Sequence, residues 1–433
     1  MRESFPRGTK WRHTHAARAV LTCAAVIAAV ASCSPDNLLN VEVPDRVVPE
    51  AILSPAQAPL LVNSVIGAYE CANNQFVAAS GLIADELMEG GSHTDMFGYD
   101  RRDFSASEPE YQDAHGDCQN AGHLGVYVPI SRARWLADTV SAHLEGWTDA
   151  EVPNRLRQIA TVAAYAGYGH VLLGELFCAA TVDGGPKLTP NEIFARAEQR
   201  FTRAIEAGTQ AGVPDIVNMA LVGRARVRLN RGDRAGAEAD ARRVPAGYSR
   251  FVTNSQASPF RENGVFRRNN RGRTLSVEQP YWNLTVGGVP DPRVALTYTG
   301  QRTVDGVRPL VLQTKYPEIA SPIPLATATE AQLIIAEIAG GQTAVDIINA
   351  FRARAGLPAF AGGDAATIRA QVIEERRREM FLEGHRLYDL IRFQLPLNPV
   401  AGAPFPKGGV YGSALCLPLP DVETNNNPNL RRL

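Results

Sequence analysis

The strongest structural signal in this 433-residue sequence is a charge-rich segment at residues 373–393, IEERRREMFLEGHRLYDLIRF. Its apolar residues recur at helical spacing, at Ile373, Met380, Phe381, Leu387, Leu390 and Ile391. Oppositely charged residues stand three apart, which stabilises a helix, in the pairs Glu383–Arg386, Arg386–Asp389 and Asp389–Arg392. The pattern predicts an amphipathic helix, continuous from Ala365 to Phe393. Gly384 weakens such a helix by about 1 kcal/mol relative to Ala, so we expect another backbone to approach closely there.

Two carboxylates of this segment have a catalytic interpretation as well as a structural one. Glu383 and Asp389 resemble the paired carboxylates that perform acid–base catalysis. Each has an Arg within reach along the helix, which would keep it ionised and able only to accept hydrogen bonds. We therefore favour a structural role for both and predict no catalytic residue in the chain.

The N-terminus has the pattern of an export signal. Basic residues precede an apolar run from Ala19 to Ala31, which ends in small residues and Cys33. This is typical of a secretory signal peptide at residues 1–32, and the run is too short to span a membrane. Cys33 resembles the acylated cysteine of a bacterial lipobox, with residues 33–55 as a lipid-anchored tether; an ordinary signal peptide with an incidental Cys33 is the alternative.

Charge and cysteine content limit the possible partners and cofactors. The chain carries 44 basic and 45 acidic residues, hence −1, and loss of residues 1–32 would leave −5. A nucleic-acid-binding protein would need a basic excess. In an oxidising compartment the four cysteines of the body predict two disulfides; we favour Cys71–Cys118 and Cys178–Cys416, with the other pairings and four free thiols left open. No zinc spacing is present and no cofactor is predicted, although a structural Ca²⁺ on loop carboxylates stays open.

The chain divides into a helical part, a loop-rich part and a second helical part. Helices are predicted at 58–88, 131–140, 154–177, 191–207, 216–230 and 234–243, within a region 56–249. Residues 250–328 are rich in Gly, Pro, Asn and aromatics and predict loops with a few short strands. Small residues such as Gly223 and Ala225 would let antiparallel helices approach, which resembles tetratricopeptide pairs; an unrelated bundle is the alternative. Helices resume in the C-terminal part, 329–433.

A family resemblance rests on the C-terminal motifs. The pattern ER-x-x-E-x-x-x-EG-x-R-x-x-DL-x-R at Glu375–Arg392 resembles the hallmark of the SusD/RagB family of outer-membrane nutrient-uptake lipoproteins. TEAQLIIAEIAGG, VDIINAFRARAGLP, DPR, KYP and LPLPDVETNNNPNL are similar to further family segments. The resemblance implies a mostly α SusD-like fold with tetratricopeptide-like helix pairs and a loop-rich, ligand-facing region. It also implies a surface lipoprotein of the cell outer membrane that captures oligosaccharides, or peptides, for a TonB-dependent β-barrel transporter.

Ligand capture in such proteins would use exposed aromatic rings that stack on sugars, with polar neighbours that bond the hydroxyl groups. Our candidates, in order, are Trp282 with Tyr281 and Asn283, then Phe97, Tyr99, Arg101 and Arg102, then Tyr298 and Tyr316. We expect Trp135 to lie in the core, leave Trp147 open, and expect Asp85 and Glu86 to cap and solvate a helix end.

Two other function classes compete with a binding lipoprotein. A secreted glycoside hydrolase would need two convergent carboxylates about 5–10 Å apart, and no motif singles out such a pair. A helical-repeat scaffold of the envelope would need no pocket. Binding of glycans without turnover would favour the binding lipoprotein over both the hydrolase and the scaffold.

Overall fold

A computed structural model of the protein describes residues 53–91, 96–107 and 124–430. The predicted signal peptide, the lipidation residue Cys33, the tether up to residue 52, and Cys118 lie outside these residues. Residues from Leu53 onward form one structural unit. Within the described ranges, no helix is long and apolar enough to cross a membrane.

The N-terminal half is an array of helices in which each packs on the next. The elements are α1 (Ala58–Ile83), β1 (Leu87–Glu89), α2 (Phe97–Arg101), α3 (Tyr127–Gly146), α4 (Arg155–Leu176), α5 (Pro190–Gln210), α6 (Pro214–Asn230) and α7 (Arg234–Ala241). Helix α3 packs between α1 and α4, and the chain then folds back and forth through α5, α6 and α7. Thr189 and Glu192 form a capping box at the start of α5, which fixes where that helix begins.

Glycines allow the central helices to approach closely. The ring of Phe201 on α5 sits against Gly167 of α4 and Gly223 of α6, where a Cβ atom would lie 2.6 and 2.4 Å from that ring. Phe194 contacts Gly174 in the same way, at 2.5 Å. The predicted close approach at Gly223 is thus confirmed, and so is the mostly helical, tetratricopeptide-like architecture.

The middle of the chain is loop-rich, as predicted, with short antiparallel strand pairs. The strands are β2 (Ser249–Val252), β3 (Leu275–Val277), β4 (Thr285–Val286), β5 (Val289–Pro290), β6 (Leu296–Arg302), β7 (Pro309–Gln313) and β8 (Ile323–Thr327). The pairs are β1–β3, β2–β8, β4–β5 and β6–β7. The β1–β3 pair joins the segment after α1, the first helix of the array, to the loop-rich region, with Leu87 opposite Val277.

The C-terminal part returns to helices, but one predicted helix is broken. The elements are α8 (Ala328–Ala339), α9 (Gly341–Arg354), α10 (Ala365–Glu379), α11 (Arg386–Phe393) and α12 (Asp421–Asn426). The continuous helix from Ala365 to Phe393 is wrong, because Leu382 and Gly384 have φ angles of 58° and 84°. A Cβ atom on Gly384 would lie 2.8 Å from the ring of Phe76 on α1. The tight approach is therefore to a side chain of α1 and not to a backbone.

The break in the helix changes the predicted charge pairs. Glu383 pairs with Lys315 at 2.6 Å, and Arg386 pairs with Asp85 at 2.7 Å, so the predicted Glu383–Arg386 and Arg386–Asp389 pairs are wrong. Both side chains sit in or next to the break and point to other elements. The Asp389–Arg392 pair, which lies within α11, is confirmed at 2.9 Å.

A disulfide ties the chain's tail to the helical array. Cys178 and Cys416 are bonded, with their Cα atoms 5.0 Å apart, which confirms that predicted pair. The backbone N–H of Cys178 also donates to the carbonyl oxygen of Leu417. Cys71 is disulfide-bonded as well, while Cys118, its predicted partner, lies outside the described residues.

Trp135 is not in the core. Its side chain on α3 is 51% exposed, because the helix buries a face that carries Ile130, Ala133, Ala137 and Val140. At about 100° per residue, position 135 falls away from that face. The prediction of a core tryptophan is wrong, and Trp135 is a surface residue.

Candidate functional site

Three of the predicted ligand-binding residues come together on the surface of the loop-rich region, and we call Trp282, Asn283 and Tyr298 the aromatic platform. Trp282 follows a 3-10 turn at Gln279–Tyr281 and is half-buried. Its indole N–H donates to the carbonyl oxygen of Val277 at 2.9 Å. The β3 strand therefore fixes the position of the indole ring.

Tyr298 completes the platform from a separate hairpin. It projects from β6 with 47% of its surface exposed, and its ring meets that of Trp282 edge-to-face, with centroids 6.0 Å apart and an angle of 87°. The backbone N–H of Asn283 donates to the hydroxyl oxygen of Tyr298 at 2.8 Å. Asn283 itself has a φ of 52°, a conformation that asparagine tolerates better than most residues. The turn and the strand are thus held together by both rings and a hydrogen bond.

The three side chains of the platform carry no charge. The two aromatic side chains present apolar surface, while the exposed Asn283 and the Tyr298 hydroxyl supply polar groups. This combination suits a sugar ring, whose C–H face packs on an aromatic ring while its hydroxyl groups form hydrogen bonds. None of the three residues carries a carboxylate, an imidazole or a thiol.

Three other candidate tyrosines are core residues. Tyr281 is fully buried and stacks on Phe381 with ring centroids 4.6 Å apart. The hydroxyl of Tyr316 donates to the carbonyl oxygen of Leu382 at 2.9 Å, and that of Tyr99 donates to the carbonyl oxygen of Leu124 at 2.8 Å. Rings buried in this way offer no face for stacking, so the structure corrects their proposed role to packing. Burial also raises the pKa of Tyr281 and Tyr316 well above the ordinary value.

Phe97 and Arg101 lie on α2, a different element from those that carry the platform. Phe97 is half-buried, packs on Phe405 with centroids 6.4 Å apart, and has the ammonium group of Lys407 4.2 Å from its ring centroid. Arg101 is partly exposed and pairs with Asp103 at 3.0 Å. Their role in ligand binding stays a prediction.

Arg102, next to Arg101, is an interior residue. Its side chain is 2% exposed, and its guanidinium donates to the carbonyl oxygens of Gly412 and Pro399. It anchors the tail segment after α11 to α2. Sequence reasoning found none of these tail partners, because contacts across some 300 positions leave no local pattern.

Beneath Phe97 lies a buried set of charges that sequence reasoning also missed. Lys407 bonds to both Glu89 and Asp305, and Arg308 pairs with Asp100 at 3.1 Å. Burial raises the pKa of Glu89 to about 7 in spite of Lys407. These groups hold the tail on the β1 strand and leave Phe97 in place above them.

The prediction that Asp85 and Glu86 cap and solvate a helix end is wrong, because both side chains are buried. Asp85 forms a two-point ion pair with Arg386. Glu86 accepts the backbone N–H of Leu382 at 2.7 Å, and burial raises its pKa to about 8. Both residues fasten the break between α10 and α11 to the end of α1.

The residues that the structure describes contain no candidate metal site. Among them, no group of three or more His, Cys, Asp or Glu side chains could hold a metal ion.

The comparisons with known proteins place a family signature in the C-terminal part. The model of the SusD family matches residues 327–432. No curated protein matches the chain.

Solved structures match almost the whole chain at low sequence identity. A SusD superfamily protein from Bacteroides fragilis has a TM-score of 0.64 at 15% identity, covering 88% of this chain and 99% of its own. A SusD superfamily protein from Bacteroides vulgatus has a TM-score of 0.62 at 15% identity, covering 87% and 97%. A laminarin-binding SusD-like protein has a TM-score of 0.57 at 16% identity, covering 86% and 98%. At such identities the likeness establishes the fold.

Proposed function

Because its C-terminal region belongs to the SusD family and its described body has that family's fold, we propose that this protein is a cell-surface lipoprotein that captures oligosaccharides. In this proposal it passes them to a TonB-dependent transporter of the outer membrane. Cys33 carries the lipid anchor, and the described body stands outside the membrane on the tether that precedes it.

The observation that carries the proposal is the aromatic platform. The indole N–H of Trp282 donates to Val277 on β3, and the hydroxyl oxygen of Tyr298 accepts the backbone N–H of Asn283. Both rings are therefore positioned before a ligand binds, which limits the conformational entropy lost on binding. A structurally similar protein binds laminarin, a glycan. Uncharged rings with hydroxyl and amide groups favour neutral sugars as the ligand.

We propose binding without chemistry. The two carboxylates with a catalytic interpretation are both held by cations: Glu383 by Lys315 at 2.6 Å, and Asp389 by Arg376 and Arg392. Burial raises the pKa of Asp389, but Arg376 and Arg392 together lower it by more, so the pKa lies below its ordinary value. Asp389 therefore stays ionised and has no proton to give near neutral pH. Burial raises the pKa of Glu383, but its carboxylate is bound by the Lys315 ammonium group.

The proposal is tested by binding and turnover measured on one sample. The purified protein is titrated calorimetrically with neutral oligosaccharides, including laminarin fragments, with uronic-acid oligosaccharides and with short peptides, and each mixture is then analysed for cleavage products. We expect at least one neutral oligosaccharide to bind and to be recovered intact. Cleavage of a bound glycan would contradict the proposal, and so would binding of peptides alone.

The anchor has its own test. We expect cells that express the protein to incorporate a labelled fatty acid into it, and a Cys33→Ala variant to lose that label. The transporter partner is tested by co-purification of the anchored protein from outer membranes, with the platform variant Trp282→Ala as a control that should still co-purify. Equal labelling of both forms would contradict lipidation at Cys33.

A further inference from the structure

A basic cleft lies among the C-terminal helices and shares no residue with the aromatic platform. Its volume is about 580 Å³, within the range of about 300–1,000 Å³ for ligand pockets. The α6–α7 turn, the α8–α9 turn, α10 and the end of α11 enclose it. Four arginines line it, at Arg231, Arg234, Arg369 and Arg392, against a single lining carboxylate among the described residues, that of Glu337.

The floor of the cleft is apolar and partly aromatic. Ile368 and Val372 of α10 are buried beneath it, and the half-buried Phe393 ends α11. The guanidinium carbons of Arg392 and Arg369 lie 4.2 and 5.5 Å from the centroid of the Phe393 ring. Stacking of this kind positions the planar cations without using up their N–H donors.

The cleft keeps an excess of positive charge when each arginine is assigned to the carboxylates that it contacts. Arg231 bonds to Glu198, and Arg392 bonds to Glu337. Arg369 makes no ion pair with any described residue, and it is exposed.

Arg234 shares its nearest carboxylate with a second arginine. Its guanidinium donates to the carbonyl oxygen of Glu337 at 2.9 Å and lies 3.9 Å from a carboxylate that Arg392 already holds. One unpaired cation, Arg369, and a second, Arg234, that shares the Glu337 carboxylate with Arg392 thus stand over an apolar floor, on a chain whose net charge is −1.

We propose that this cleft is a docking site for an acidic peptide segment of a partner protein, one in which carboxylates alternate with apolar side chains. The apolar side chains would fill the floor over Phe393, and the carboxylates would reach Arg369 and Arg234. Charge complementarity carries the choice, because a neutral sugar would leave Arg369 unpaired and Arg234 sharing one carboxylate with Arg392. Arginine clusters are a recurring means of binding acidic peptide motifs. The proposal does not depend on the platform or on the proposed glycan ligand.

The test uses a short fluorescein-labelled peptide in which aspartate alternates with leucine and phenylalanine, and a matched peptide with asparagine in place of each aspartate. Binding to the purified protein is followed by fluorescence anisotropy at low and at high salt. The variant is Arg369→Glu. The matched control is Arg132→Glu, which reverses another exposed helical arginine, on α3, that forms no ion pair with the described residues.

We expect the aspartate peptide to bind, the asparagine peptide to bind far more weakly, and salt to weaken binding by screening. Arg369→Glu should lower the affinity about tenfold, since it turns an attraction into a repulsion, while Arg132→Glu should leave it unchanged. Equal binding of both peptides, no binding of either, or an unchanged affinity in Arg369→Glu would overturn the proposal. If oligogalacturonate displaces the peptide and binds more tightly than the peptide does, the proposal is also overturned, and the cleft is a site for acidic glycans.

Discussion

The C-terminal charges and the aromatic platform use polar groups in opposite ways. Around α10, Glu375 is fully buried and bonds to Arg293 at 2.5 Å and to Arg352 at 2.8 Å. We call these residues, with Arg376 and Asp389, the charged framework. At the platform, Trp282 and Tyr298 are uncharged, and they keep surface open to solvent.

The difference shows which polar residues remain available to a ligand. Each carboxylate of the framework is already held by a guanidinium group, and a buried ion pair that loses one member is left with an uncompensated charge. The framework is therefore costly to disturb and has no free capacity to bind. The platform rings are only partly buried, and part of their surface remains open to a ligand. Substitution in the framework should therefore be seen first in stability, and substitution in the platform first in binding.

The largest effect should follow from Glu375→Ala. The substitution leaves the buried Arg352 without its carboxylate partner, while Arg293 keeps Asp291 and Glu379. We expect the free energy of unfolding to fall by about 3–5 kcal/mol. Urea unfolding measures this change. Glu206→Ala, at an exposed acid on α5, is the matched control and should change stability by less than about 0.5 kcal/mol. Equal losses in the two variants would remove the distinction between buried and exposed acids.

The next largest effect should be on the dependence of stability on pH. The pKa of Glu86 is about 8 in the folded protein because of burial and near its ordinary value of about 4.5 in the unfolded chain. Between these pH values unfolding releases a proton from Glu86. The stabilising contribution of the protonated Glu86 carboxyl is therefore complete at low pH and is lost as the pH rises towards 8.

Glu86→Gln removes that titration. We expect the wild type to lose about 2–4 kcal/mol more than the variant between pH 5 and pH 8.5, as measured by urea unfolding at each pH. Burial also raises the pKa of Glu278 and Glu330 to about 7, and both groups titrate in the two proteins alike. Parallel pH profiles would show that Glu86 is not the group responsible.

A smaller effect, on binding and not on stability, should follow from Trp282→Ala. Loss of the indole face should weaken the affinity for the bound oligosaccharide by about 2 kcal/mol, the size typical of a buried aromatic anchor, as measured by calorimetry. Trp135→Ala, which removes a half-exposed tryptophan from α3, is the matched control and should bind normally. Weakening by both variants would mean that ligand contacts extend beyond the platform.

The smallest effect should follow from Tyr298→Phe. The ring stays, but the hydroxyl that accepts the N–H of Asn283 is lost, and a single hydrogen bond is worth about 0.5–1.5 kcal/mol. We expect the melting temperature to fall by about 1–2 °C at most, and binding to weaken several-fold because the ring is no longer held against the turn. Unchanged binding would show that the ring alone, without the hydrogen bond to the turn, defines the platform.

Much of the fold followed from local pattern. The helices between α4 and α7 and the loop-rich middle were predicted because apolar periodicity and turn residues are read along the chain. Cysteine parity predicted two disulfides but not their pairing, and the structure confirms the favoured Cys178–Cys416 bond. The helix between Ala365 and Phe393 was predicted as continuous because its spacing suits one helix. The contact between Gly384 and Phe76 of α1, which accompanies the break, joins positions about 300 residues apart.

The candidate site was predictable only in part, and for the same reason. Trp282, Asn283 and Tyr298 were chosen for residue type and loop context, and the structure brings them together. Nothing local distinguishes the exposed Tyr298 from the buried Tyr316, since both follow strand-like runs and burial depends on which element packs above them. The basic cleft has no sequence signature at all, because its arginines come from three separate helical regions.

The most direct test of the account is the electron density of a bound oligosaccharide in a crystal of the complex. We predict a sugar ring stacked on Trp282, within reach of Asn283 and Tyr298, with the ion pairs of Glu375 and Asp389 unchanged. Density for the sugar on the charged framework or in the basic cleft, with the indole of Trp282 bare, would contradict the division between structural charge and aromatic recognition.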